Sequence, residues 1–482
     1  MNEKFEFTAG LKKNLFLMMG AGVLGLALSF FLYPENNHSR FWTNLLSNTY
    51  FFTGIGLFGL FVVAATQLAY GGWQTLMKRI FISLSGFTRI GGFLLLAIIA
   101  LGVFGNVHTL YDHVKHILHT GAGDPRYSTK LIFFAPAFWI GRVLVYASLW
   151  LLFSIVFDNF FARTDQNDPK VYKKSKLLAA AFIVVFALTE SAISWDAVMC
   201  LDPHWYSTLF GWYNFASYGC AAWGMTILII IYLKSKGYVP QINENHIHDL
   251  GKMLFGFSIF WTYLWFDQFM LQWYANIPED TNFWVKRFSD SYFKFTIFAS
   301  LIINFAFPLF FLIKRSAKRN FKMIGFGAAL LIFGHYVDFF NYTFVEPNWN
   351  AKVEQEKLEK QRKGDVALFF AVNEGAAEAG EGHEAAKKEE VASEQVQPSA
   401  TESNVVKTEG AKETAMEEKK GKHEEESAPT TFAGIGIAEL LIFVGFLGAF
   451  LFMFFNNLKK RPIVPENDPY LKESEKLTVT WA

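Results

Sequence analysis

Residues 176–198 read KLLAAAFIVVFALTESAISWDAV. After Lys176 this run holds two ionisable side chains, Glu190 and Asp196, and at about 1.5 Å per residue it is long enough to cross roughly 30 Å of hydrocarbon. In lipid it must be a helix, because a helix satisfies its own backbone groups where no water can. Working outward, similar runs lie near 14–33, 48–70, 87–106, 131–157, 209–233, 251–275, 292–313, 322–345 and 432–455, the third starting as early as Ile80. The sequence therefore predicts an all-α fold, a polytopic membrane protein of about ten transmembrane helices. Composition agrees: 52% of the 482 residues are hydrophobic and 18% aromatic, more than soluble domains carry. The first run follows Lys12 and Lys13 but exceeds the roughly 7 to 15 apolar residues of a secretory signal, so it is read as a span.

Basic residues group at alternate loops: Lys4, Lys12 and Lys13; Lys78 and Arg79; Arg163, Lys170, Lys173, Lys174 and Lys176; Lys234 and Lys236; Lys314, Arg315, Lys318, Arg319 and Lys322; Lys459, Lys460 and Arg461. Ten spans put all of these on one side, which the positive-inside rule makes cytoplasmic, and both termini with them. The intervening loops carry fewer (Arg40; Lys115, Arg126 and Lys130; Lys286 and Arg287). A net charge of +1 gives no basis for a nucleic-acid partner. Cys200 and Cys220 stand outside any CxxCH or iron–sulfur run, which argues against covalent haem or a cluster in this chain.

Five regions follow. Residues 1–47 hold the first helix and an outer loop, 48–208 a four-helix bundle and 209–350 a second. Residues 351–430, rich in Glu, Lys, Ala, Ser and Gln, are too poor in apolar residues to order themselves and form a charged outer-face loop, helical at most over 352–363. Residues 431–482 supply the final span and a cytoplasmic tail. An echo supports the paired bundles: Asp196 is followed by Asp202-Pro203-His204-Trp205, and Asp338 by Glu346-Pro347-Asn348-Trp349.

A charge within a span costs from about 3 to more than 10 kcal/mol, so each needs a reason. Arg142, Glu190, Asp196, Asp267, His335, Asp338 and Glu439 qualify, with Gln268 and Gln272 beside Asp267. Glu190, Asp196, Asp267, His335 and Asp338 fall towards the outer ends of their helices, above Arg142 near the middle. One reading is a proton-conducting half-path opening outward, because His335 and Asp338 share a helix face three residues apart and histidine titrates near neutral pH. The other is structural: Arg142 pairs with Glu190, Gln268 bonds to Gln272, and the rest are interhelical hydrogen bonds.

Weaker signals remain. His108, His113, His116 and His119 have a spacing that can bind zinc or copper, but an amphipathic helix with Tyr111 and Leu118 fits better. His335 alone is deep, which disfavours haem b. Trp205, Tyr206, Trp212, Tyr213, Trp265, Trp273, Tyr274 and Trp284 read as interfacial aromatics, some suited to a quinone slot; no quinone-binding residue is singled out. Gly20, Gly22 and Gly25, and Gly54, Gly56 and Gly59, suit close helix packing.

Residues 194–208, SWDAVMCLDPHWYST, resemble the signature of the F-type membrane subunit of alternative complex III, a quinol:cytochrome c oxidoreductase. So do 248–252 (HDLGK), 265–269 (WFDQF) and 272–279 (QWYANIPE). The similarity covers roughly residues 10–350 and the last span, and the 351–430 insertion departs from a minimal member. The resemblance implies a relative of the NrfD and polysulfide-reductase membrane subunits: two four-helix bundles plus two additional helices, no cofactor of its own, in a bacterial inner membrane. It implies partner subunits carrying c-type haems and iron–sulfur clusters (a multihaem cytochrome c and an iron–sulfur protein), a sister NrfD-like membrane subunit, and a terminal oxidase as an optional companion. Menaquinol or another quinol would be the complex's substrate. Asp196, Asp267, His335 and Asp338 are the positions to which the family's proposed proton route carries over. The expected role is a non-catalytic scaffold and proton path. The alternatives are a quinol-binding subunit and a secondary transporter, the latter disfavoured because no span is visibly broken at midplane.

Overall fold

The computed structural model describes residues 4–105, 107–120, 128–164, 169–202, 204–349, 434–465 and 468–477. The 351–430 loop and the helix over 352–363 lie outside the described residues. Within them the regular elements are helices: α1 (Ala9–Leu32), α2 (Glu35–Leu68), a 3₁₀ turn (Gly72–Met77), α3 (Lys78–Leu84), α4 (Thr88–Val103), α5 (Asp112–Thr120), α6 (Ser128–Phe133), α7 (Pro136–Thr164) and α8 (Pro169–Ala197). Next come α9 (Leu209–Ser235), α10 (Glu244–Ala275), α11 (Pro278–Ser289), and α12 (Ser291–Leu301) running through a π turn (Ile302–Ala306) into α13 (Phe307–Phe311). α14 (Arg315–Arg319), α15 (Phe321–Trp349), α16 (Ile437–Leu458) and α17 (Leu471–Glu475) complete the order.

Nine segments among the described residues are long and apolar enough to span a bilayer, so the chain is an all-α polytopic membrane protein. The tenth expected span, 251–275, lies in α10, which is 32 residues long but not apolar enough to count among the nine. Its second half replaces aliphatic residues with Trp261, Tyr263, Trp265, Gln268 and Gln272, several of which carry its contacts to neighbours.

α2, α4, α7 and α8 pack on one another, and α9 packs against α2, α8 and α10. α15 joins α9 and α10 through hydrogen bonds to Asp338 and meets α12 where Thr296 donates to Asn341 at 2.6 Å. α1 pairs with α16, and the pairing depends on glycine: a Cβ added at Gly22 would stand 2.5 Å from the Gly445 Cα. A Gly22→Leu variant is expected to lose about 1–3 kcal/mol through overpacking, read as a lower melting temperature in detergent. Gly20 faces open space, contrary to the expectation that it packs, so Gly20→Leu should melt like the parent.

Three local features depart from the sequence reading. α2 begins 13 residues before the expected span, so Arg40, placed above in a loop, sits in its first turns. There its guanidinium donates twice to Glu439 at 2.7 Å, and Asn44 and the Gly436 amide add donors at 3.2 and 2.8 Å; this buried clamp ties α16 to α2. The third span is interrupted between α3 and α4 at residues 85–87, where Ser85 Oγ donates to the Ile82 carbonyl at 2.8 Å in competition with the helix. The interruption falls at the start of the expected 87–106 span and inside the longer reading from Ile80. Finally, part of the tail is built in: Lys78 donates to Asp468 at 2.7 Å, Ser474 Oγ to the Trp73 carbonyl at 2.8 Å and His246 Nε2 to the Ser474 carbonyl at 2.9 Å.

Candidate functional site

The buried acids sort by what neutralises them. Asp196, near the C-terminal end of α8, receives both arms of the Arg142 guanidinium from α7, Nε at 2.8 Å and Nη2 on the second oxygen. Arg142 is further held by the Phe133 carbonyl and lies 3.6 Å over the Phe133 ring. The expected Arg142–Glu190 pair is thereby corrected. Glu190 and Asp196 are six residues apart, so their side chains diverge by about 120° around one helix and do not both face α7.

Beyond α8, Lys286 of α11 donates to Asp202 at 2.9 Å and to Glu346 at 2.6 Å, all three side chains being buried. The two acids of the sequence echo therefore meet on one ammonium, which joins the end of α8 to the end of α15. Burial pushes the Asp202 carboxyl up, but Lys286, Arg287 and the His204 amide outweigh it and hold the group below the ordinary carboxylate range. Sequence inspection missed Lys286 because it reads as an ordinary loop lysine.

Asp338 is different, for it forms no ion pair among the described residues. Tyr213 Oη and Ser217 Oγ of α9 and Trp261 Nε1 of α10 all donate to it, Ser217 at 3.1 Å and Trp261 at 3.0 Å. The indole N–H can only donate, so this pocket requires an acceptor at Asp338. His335 does not bond Asp338 directly, as its spacing allowed: Ser217 Oγ lies between them, 3.0 Å from His335 Nδ1. With its proton directed to Asp338, Ser217 accepts from Nδ1–H, giving a chain His335–Ser217–Asp338–Tyr213. His335 Nε2 is buried with no hydrogen-bond partner among the described residues, and the ring stands edge-on to Trp261, with centroids 5.3 Å apart.

Glu190 likewise forms no ion pair among the described residues. Ser191 Oγ donates to it at 3.3 Å, and Tyr218 of α9 and Tyr50 of α2 surround it. Ser217 and Tyr218 are consecutive, so the two acids without a counter-cation flank α9 at the same depth.

Asp267 joins neither group. It is half-buried on a side of α10 where Tyr263, Phe266, Leu271 and Tyr274 are exposed. Gln268 and Gln272 do not bond each other: Ser207 donates to Gln268 at 3.2 Å and Trp284 to Gln272 at 2.6 Å. Of the expected interfacial aromatics, Trp205, Tyr213 and Trp284 are buried, whereas Tyr206, Trp212, Trp273 and Tyr274 are exposed. α5 forms as expected, with Tyr111 buried and donating to the Ala197 carbonyl at 3.1 Å. His108 donates instead to the Ile98 carbonyl at 2.9 Å; among the described residues no three His, Cys, Asp or Glu side chains converge as a metal site.

From Asp338 the polar residues continue towards Lys286. The rings of Tyr213 and Tyr342 are 5.0 Å apart, Arg287 lies 5.5 Å over Tyr342, and Tyr342, Arg287, Asp202, Glu346 and Trp205 line a small cavity. Arg287 Nε, Glu346 Oε2 and Trp205 Nε1 are buried there without hydrogen-bond partners among the described residues. No known family model matches the sequence, and no characterised protein matches it significantly; the stretches 194–208 and 265–269 touch where Ser207 donates to Gln268.

Proposed function

We propose that this chain is a membrane subunit of a quinol:cytochrome c oxidoreductase of the alternative complex III type, in a bacterial inner membrane with both termini cytoplasmic. It serves as scaffold for haem-bearing, iron–sulfur and sister membrane subunits and carries protons between the bundle interior and the Lys286 end. The observation that carries the proton reading is the chain His335–Ser217–Asp338–Tyr213. A proton taken up at His335 Nε2 lets Nδ1 release one to Ser217, which passes its own to Asp338; the ring then resets. Tyr213 and Tyr342 lead onward to the cavity at Arg287 and Glu346. Arg142 with Asp196, and Lys286 with Asp202 and Glu346, hold helices together through charged hydrogen bonds between elements. Asp267, an acid on a half-exposed apolar face, suits a partner helix better than lipid.

The test is Asp338→Asn and Glu190→Gln in the assembled complex. Asn can offer its carbonyl to Trp261 and Ser217 and its amide to Tyr213, so the fold survives. Asp338→Asn should lower both quinol:cytochrome c turnover and protons released per electron; unchanged values in both variants would leave a scaffold alone. A second reading, a secondary transporter, gains from the interrupted third span, because broken helices mark transporter sites. Pull-down separates them: multihaem partners favour the first reading, isolation with solute uptake the second.

A further inference from the structure

An apolar groove of about 410 Å³ runs between the α1/α16 pair and α9 with α15, lined among others by Met18, Leu228, Tyr232, Ala329, Leu447 and Leu451. Along α16 it extends from Phe443 to Phe455, which at about 1.5 Å per residue is roughly 18 Å. One leaflet of a bilayer offers about 15 Å of hydrocarbon, so the groove matches a single acyl chain in length. Its end at Phe455 opens beside a polar mouth containing Thr8, Asn14, Lys236 and Tyr238, with Glu6 as its acid. Leu11, Asn14 and Tyr232 line both. Two further cations stand at this end: Lys12 and Lys459 lie 5.2 and 5.8 Å over the Phe7 ring, and Phe7 packs on Phe455 at 6.0 Å.

We propose that this groove binds one acyl chain of an anionic phospholipid, with its phosphate at the mouth among Lys12, Lys236 and Lys459. The charge is complementary, three lysines against Glu6, and the polar groups gather at one end only. A quinone ring is neutral and has no charge to set against these lysines, whereas a phosphate does. The lipid would act as a wedge that holds the peripheral pair against the bundle.

The experiment uses the full chain, washed extensively in mild detergent, with retained lipid extracted and quantified per chain. Exchange is then measured against phosphatidylglycerol and phosphatidylcholine. The parent should keep one phospholipid per chain and prefer the anionic lipid. Lys236→Glu, an exposed position, should reduce that preference by about fivefold or more. Ala329→Trp, which fills the groove from an exposed position, should lose the lipid while its melting transition stays cooperative. Retention of the same lipid by Ala329→Trp, equal affinity for the two headgroups, or recovery of a prenylquinone in place of phospholipid would each overturn the assignment.

Discussion

Replacing Arg142 by Leu is expected to destabilise the protein by about 3–5 kcal/mol, because it leaves Asp196 charged and buried with no partner. Asp196 is fully buried and receives both guanidinium arms, and the other nearby atoms (the Cys200 thiol and the Tyr111 ring) supply no cation. The loss should be far smaller in an Arg142→Leu/Asp196→Leu double variant, since removing both charges also removes their desolvation cost. Thermal melts of the single and double variants in one detergent form a double-mutant cycle. A single variant that melts with the parent would mean that water reaches Asp196. Turnover of any complex that assembles from the double variant should stay near that of the parent, because the pair is assigned to holding α7 against α8.

The second large effect is at Lys286. Lys286→Met leaves two buried acids facing each other, Asp202 and Glu346, both of which it now contacts within 3 Å. A loss of about 3–5 kcal/mol or more is expected at neutral pH, and the sign of its pH dependence follows from Asp202. In the parent that carboxyl is held below the ordinary range. Its contribution is therefore complete above about pH 4, the unfolded value, and is lost as pH falls through the lower folded value. Without the ammonium, burial dominates and the Asp202 carboxyl titrates higher, so its protonation relieves the variant while the Asp202–Lys286 pair of the parent is still intact. The gap between parent and variant should be widest at pH 7 and narrow towards pH 4. A gap independent of pH would show that packing of the lysine stem, and not charge, is what the bundle ends require.

Much of this protein was legible before any packing was known. Runs such as 176–198 can satisfy their backbones in lipid only as helices, so the all-α membrane fold followed from length and apolarity. The cost of a buried charge made Glu190, Asp196, His335 and Asp338 conspicuous for the same reason. Less visible were the residues that answer those charges. Arg40 and Lys286 sit in stretches that look like ordinary loops, and Ser217, Tyr213 and Trp261 are unremarkable within apolar or aromatic runs.

By itself, then, the sequence determined that the chain is helical, that it has many segments apolar enough to cross a bilayer, and which acids must be explained. Tertiary structure alone decided that Arg142 faces Asp196 and not Glu190, that Ser217 stands between His335 and Asp338, and that Asp202 and Glu346 share Lys286. The physical reason is that helical periodicity sets the angles between residues on one helix, while the rotation of that helix and the identity of its neighbours come from packing. A charge announces its own need along the chain; the group that meets it comes from another helix.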